Sequence, residues 1–161
     1  MLPNYKHILY ATDLTENAVN AFKHAVLLAR KSTAKVHILH AIPEVDASFR
    51  SYVELMMGEG QLKEFEADHE KQARDTLSKK LEVFAREELR DFPEDYANIA
   101  GIDVVHGNAV AEILKAADRL DADVIVMGTH GKGALAHAFL GSVAEKVLQK
   151  SKRPVFVVPI P

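Results

Sequence analysis

The chain has no cysteine, which removes disulfides, thiolate catalysis and cysteine-based zinc sites together and suits a reducing compartment such as the cytoplasm. It also lacks an excess of charge of either sign. Twenty basic residues stand against 23 acidic ones, the formal net charge is -3, and the two signs are interspersed. That leaves no electrostatic footprint for nucleic acid or for an anionic membrane. Long apolar runs are missing too: the longest are the length of a strand, and Met1-Leu2-Pro3-Asn4-Tyr5-Lys6-His7 opens the chain with no apolar segment behind a charged head. Neither a signal peptide nor a membrane span is expected. No repeat or low-complexity tract interrupts the 161 residues, a length that suits one compact domain over 1–161 with a substantial core.

What the chain does have is an alternation of strand-like and helix-like periods. His7 to Ala11 reads as a buried strand, and Ala18, Ala21, Phe22, Ala25, Leu28 and Ala29 then fall on one helical face. Val36 to Ile42 reads as strand 2, and Leu62 to Leu89 as a long helix carried by Leu62, Phe65, His69, Ala73, Leu77, Leu81 and Phe84. Ile102 to His106 reads as strand 3, Ala109 to Leu120 as a helix, Asp123 to Met127 as strand 4, Ser142 to Lys150 as a helix and Pro154 to Pro159 as strand 5. Helices between successive strands predict a parallel sheet covered on both faces, an α/β doubly wound fold. The segment from Glu44 to Gly60 resists this reading, because Tyr52, Val53, Leu55, Met56 and Met57 suggest a helical turn that Gly58-Glu59-Gly60 breaks. Its apolar residues are expected to pack beneath a loop, with a flap or a partner contact as the alternative.

Ligands of doubly wound sheets sit beyond the carboxyl ends of the strands, where the strand order reverses. The loops at those ends are Ala11-Thr12-Asp13, Ala41-Ile42-Pro43, His106-Gly107-Asn108 and the stretch after strand 4, Gly128-Thr129-His130-Gly131 with Gly141-Ser142 further on. Glycines there let an anion approach peptide N–H groups with no Cβ in the way. Ser142-Val143-Ala144-Glu145 reads as a capping box, so the N–H groups and the positive dipole end of the last helix are expected to face the same loop. The two commoner phosphate loops do not fit. A P-loop would require glycine where Val126 stands, and Gly131-Lys132 is followed by Gly133 rather than by a hydroxyl residue. Gly131-Lys132-Gly133-Ala134-Leu135-Ala136 matches the dinucleotide pattern but follows a late strand with no acidic residue at the ribose distance behind it.

With Ala11-Thr12-Asp13 after strand 1, and Gly128, two residues, Gly131, nine residues and Gly141-Ser142 after strand 4, the chain resembles the universal stress protein family. The phrase Asp121 to Gly131 and the ending Lys152-Arg153-Pro154-Val155-Phe156-Val157-Val158-Pro159 carry the same likeness, which covers nearly the whole length. The resemblance implies a Rossmann-like five-stranded parallel sheet in the order 3-2-1-4-5. It also implies homodimers joined through the last strand and, from the glycine motif, the subclass that binds ATP. It implies that Asp13, after Ala11 and Thr12, contacts the ribose, that the backbone near Ala41 reads the adenine edge, and that Gly107 lines the ribose side. Gly128, Gly131, Gly141 and Ser142 would hold the phosphates, with Met127, Thr129, His130 and Val143 beside them.

The residues keep plainer readings open as well. Asp13 with Glu16, and Ser142 with Glu145, could simply cap helices. His130, Lys132 and His137 could add positive charge or lie in solvent, and His137 stands where the family often has an arginine. His37 and His40 point to opposite faces of one strand and cannot chelate one metal, so no protein metal site is expected. Magnesium would arrive with the nucleotide, held by phosphates, waters and a carboxylate such as Asp13. The expected function is that of an ATP-binding regulatory dimer of the stress response, with an unidentified protein partner open. The alternatives are a slow ATP hydrolase, for which no P-loop lysine, arginine finger or water-orienting glutamine is legible, and a nucleotide-independent dimeric scaffold. Val155-Phe156-Val157-Val158, apolar on both faces, would pair with its twin at a sheet edge.

Overall fold

A computed structural model describes residues 1–129 and 140–159. Five strands, β1 (His7–Ala11), β2 (Lys35–Ile42), β3 (Ile99–His106), β4 (Val124–Gly128) and β5 (Val155–Val158), form one parallel sheet in the order β3-β2-β1-β4-β5. The helices between them are α1 (Glu16–Ser32), α2 (Ala47–Met57), α3 (Glu59–Glu88), α4 (Pro93–Tyr96), α5 (Ala109–Arg119) and α6 (Ser142–Lys150). This is the Rossmann-like doubly wound architecture expected from the alternation of periods.

Alternate strand residues face opposite sides of the sheet, and the core divides accordingly. Ile8 and Tyr10 of β1, Val36 and Ile38 of β2 and Val124 and Val126 of β4 pack with Phe22, Ala25 and Ala29 of α1 and Leu81 and Ala85 of α3. Leu9, Ala11, Leu39, Ile125 and Met127 point the other way, onto Val110, Ile113 and Ala117 of α5 and Ala144 and Val147 of α6. Two-sided burial is why these strands read as continuous apolar runs. Tyr10 is fully buried, donates its hydroxyl to the Ala18 carbonyl at 2.6 Å and has its phenol pushed upward by burial.

Several boundaries differ from the sequence reading. β3 begins at Ile99 rather than Ile102, across Ala100 and Gly101, and the β2–β3 register shifts between Val36 and His37. Asp123 lies just outside β4, where its carboxylate accepts the backbone N–H groups of Lys6 and His7 at 2.7 and 2.8 Å. The short helix α4 presents Asp95, 3% exposed, to the Arg30 guanidinium. The largest difference is in the segment from Glu44 to Gly60. It forms helix α2 with no buried residue, so its apolar side chains do not pack beneath a loop. Gly58, at φ 85, turns the chain directly from α2 into α3. Gly58 thus joins two helices, and Gly60 lies within the first turn of α3.

Candidate functional site

The strand order reverses between β1 and β4, which lie side by side in the register Ile8–Val124, Leu9–Ile125 and Tyr10–Val126. Continuing that register brings Thr12 toward Gly128, so the loops after β1 and β4 leave the sheet at the same end of a crevice.

Beyond Ala11, the Thr12 N–H donates to the Leu39 carbonyl at 2.9 Å as the last rung between β1 and β2. The chain then turns sharply. Leu14 adopts φ 65, the Thr12 hydroxyl accepts the Leu14 N–H at 3.1 Å, and Asp13 Oδ1 accepts both the Thr15 N–H at 3.0 Å and the Thr15 hydroxyl at 2.6 Å. The N-cap of α1 is Thr15, so Asp13 sits ahead of the helix rather than capping it. Its second oxygen remains for another donor. His40 braces this turn from β2, its Nδ1 lying 2.8 Å from the Thr12 carbonyl. Nothing in the sequence pattern singled out His40 or Thr15 for this role, since both act through loop geometry.

Ala41 lies one residue beyond His40 and two beyond Leu39. Peptide groups repeat their orientation every two residues along a strand, so the Ala41 carbonyl points the same way as that of Leu39, into the space past the end of β1. The Ile42 carbonyl points the opposite way and accepts the Gly107 N–H at 2.9 Å. Gly107 is buried with φ 146, and a Cβ there would come 2.8 Å from Glu112 Oε1 and 3.0 Å from its Cγ. The positive φ therefore favours glycine at this position, and a Cβ would in addition push the Glu112 side chain aside. Its neighbour Asn108 caps α5, the side-chain oxygen accepting the Ala111 N–H at 3.1 Å. The residue type announces that cap, asparagine immediately ahead of an apolar helical period.

On the other side of the crevice, Met127 is buried at the end of β4 and Gly128 is partly exposed. The Thr129 N–H donates to the Val158 carbonyl at 3.0 Å, and the Thr129 carbonyl accepts the Gly141 N–H. That second bond joins the exit of β4 to the entry of α6. Gly141 is the N-cap, with φ -69 and ψ 156, and no side chain caps this helix. The first helical bond runs from the Glu145 N–H to the Gly141 carbonyl. Ser142 is thus the first helical residue and not the cap of a capping box, and its side chain is exposed. Val143 follows in the same first turn, half-buried. The N–H groups of Ser142, Val143 and Ala144 precede that first bond and gather the positive end of the helix dipole.

The structure therefore gathers Ala11, Thr12, Asp13, Ala41, Gly107, Met127, Gly128, Thr129, Gly141, Ser142 and Val143 at the carboxyl ends of β1 to β4. His130 and Gly131 lie outside the described residues, as do Lys132 and His137. Among the described residues no group of three or more His, Asp or Glu side chains could hold a metal ion. His37 is remote from the crevice, its ring 5.9 Å from His7, and burial with the neighbouring His7 lowers its pKa. Among the described residues no helix is long and apolar enough to cross a membrane.

Comparison with known proteins adds a relationship. Residues 4–159 match the model of the universal stress protein family. Universal stress protein MJ0577 of Methanocaldococcus jannaschii is 35% identical over 158 residues, spanning 96% of this chain and 94% of that one. A second protein of the same organism, universal stress protein MJ0531, is 29% identical over 164 residues, spanning 98% and 84%. The solved structure of MJ0577 superposes with a TM-score of 0.69 over 98% of this chain and 97% of that one. A universal stress protein solved in complex with cAMP shares the fold at a TM-score of 0.56 and 21% identity, over 99% of this chain and 100% of that one.

Proposed function

We propose that this chain, which belongs to the universal stress protein family, binds ATP at the carboxyl ends of β1, β2 and β4 and acts as a nucleotide-responsive regulatory protein of the stress response. The observation that carries the reading is the start of α6. Gly141 occupies the N-cap, no side chain caps the helix, and a backbone bond to Thr129 holds it against the exit of β4. Such an end is suited to an anion, and the phosphates would lie against the amides of Ser142, Val143 and Ala144, with Gly128, Thr129, His130 and Gly131 completing the cradle. Gly107 would line the ribose side, and Asp13 would offer the oxygen that Thr15 leaves unused to a ribose hydroxyl, with Ala11, Thr12 and Met127 forming the wall. The Ala41 backbone would read the adenine edge, since its carbonyl extends past the last rung with β1. The cAMP complex of a protein of this fold agrees with room for an adenine nucleotide.

In this reading the chain works as one domain, in the cytoplasm, and pairs with a second copy along the β5 edge. Magnesium, when the nucleotide carries it, would be held by phosphates, waters and Asp13. Efficient turnover is not part of the proposal, because no P-loop lysine, arginine finger or water-orienting glutamine is legible near the glycine motif. The test is gentle purification with mass spectrometry of any co-eluting nucleotide, followed by calorimetric titration of the emptied protein with Mg-ATP. Saturable one-to-one binding is expected. No heat, together with no nucleotide retained, would remove ATP and leave only the fold.

A further inference from the structure

Among the described residues, α2 is the one helix with no buried position. Its large apolar side chains stand in solvent: Phe49 is 60% exposed, Tyr52 62%, Leu55 86% and Met56 73%, with Val45 just ahead at 63%. Val45, Phe49, Tyr52 and Met56 are spaced by four, three and four residues, the interval of a seam between two helices. The hairpin with α3 leaves this stripe uncovered. Arg50, on an adjacent face, is the residue tied to α3, through hydrogen bonds of 2.9 and 3.3 Å to Glu66.

Size and charge decide between occupants. Side chains of this kind each bring on the order of 100 Å² of apolar surface. The five together reach the largest patches monomers carry, about 300–600 Å², and much of the roughly 800 Å² per partner of a stable pair. Glu44, Asp46, Glu54 and Glu59 surround the stripe against the single Arg50, whereas a helix that lies on a membrane carries a basic rim. A second copy fits without conflict. With the helices antiparallel about a two-fold axis passing between positions 50 and 51, Phe49 meets the partner's Tyr52 and Val45 meets the partner's Met56. Asp46 then faces the partner's Leu55 and Glu54 the partner's Ala47, so no carboxylate opposes another. The stripe is its own complement, as an isologous contact requires.

We propose that the α2 stripe Val45-Phe49-Tyr52-Met56 is a contact between two copies of this chain, paired antiparallel about a two-fold axis. The contact stands apart from the β5 edge, since α2 packs on α3, α3 packs on β3 and β5 closes the opposite side of the sheet.

Because the chain has no cysteine, introduced thiols report without interference. Phe49→Cys and Tyr52→Cys proteins, mixed at micromolar concentration and mildly oxidised, are expected to yield the mixed cross-linked dimer in excess over either like pair. Val157→Pro, which addresses the β5 edge, should leave that cross-link in place. In sedimentation equilibrium, Phe49→Glu with Tyr52→Glu should halve the assembly mass while circular dichroism stays unchanged, since both side chains are exposed. An unchanged mass would overturn the proposal, as would a cross-link that is absent, that favours like pairs, or that vanishes with Val157→Pro. A face bare to solvent or covered by a different protein gives those results.

Discussion

Two helices start at the same end of the sheet, one after β3 and one after β4, and they start differently. Asn108 closes α5 with its own side chain, which accepts the Ala111 N–H. Gly141 begins α6 with no side chain at all. Both residues hold an extended backbone, φ -67 and ψ 125 at Asn108, φ -69 and ψ 156 at Gly141, so glycine is not demanded by conformation at the second site. What its absence of a side chain gives is access: the third amide, which α5 satisfies through Asn108, is left in α6, with its two neighbours, to whatever enters the crevice. Similar backbone geometry with a different use of the amides is the physical basis for proposing that phosphates bind at α6 and not at α5.

Giving α6 the kind of end that α5 has should erase this difference. Gly141→Asp supplies an acceptor and a negative charge at a position whose backbone already suits an N-cap. The new carboxylate occupies the amides and repels phosphate. Calorimetry with Mg-ATP is expected to show affinity falling about a hundredfold, roughly 3 kcal/mol. Because an aspartate caps well, the melting temperature should hold or rise slightly. Loss of affinity with intact stability separates a blocked site from a damaged fold. Undiminished affinity would move the phosphates elsewhere.

The reverse exchange tests the closed end. Asn108→Ala removes the side-chain acceptor from the Ala111 N–H and is expected to destabilise the protein by about 1 kcal/mol in urea denaturation. ATP affinity should stay within a factor of about two, as the positive end of α5 plays no part in holding phosphate. A large loss of affinity would show that the two helix starts act on the ligand together.

The contrast between these two ends was half visible in the sequence. Asparagine ahead of an apolar period marks a cap, and β1, β2 and β4 were legible because strands buried on both faces read as unbroken apolar runs. Ser142, by contrast, invited a capping-box reading with Glu145, and the chain instead enters the helix one residue earlier, at Gly141. The reason lies outside the helix: the bond from the Gly141 N–H to the Thr129 carbonyl fixes where the segment leaves the crevice, a long-range constraint that local residue types do not carry. Helix α2 escaped for a similar reason. Its apolar residues find no core to pack against, so a period that normally signals burial gave no face to assign. The half of Asp13 engaged by Thr15 was equally invisible, because it depends on the positive φ of Leu14.

The opposite end of the sheet offers the control for all of this, since there the chain supplies its own anion. The Lys6 and His7 amides converge on one oxygen of Asp123, a small version of what the α6 amides would do with a phosphate oxygen. Partial burial works against that charge, but the two amides outweigh it, with nearby His7 and Lys6 adding to the effect, and the carboxyl titrates below its ordinary value of 3.8. A depressed folded-state pKa means that the stabilisation is complete above the unfolded value and disappears as pH falls through the folded one. Thermal melts of the unmodified protein should therefore lose stability below about pH 4. Asp123→Asn keeps an acceptor without the charge, so it should melt a few degrees lower at pH 7 and converge with the parent as pH falls through the folded-state value. Asp118, itself exposed and depressed through its pairing with Arg153, is screened by salt, so repeating the melts at high ionic strength reduces its share of the pH dependence. Parallel curves for parent and variant across that range would mean that the two amides do not select the charged form, and would weaken the same argument at the mouth of α6.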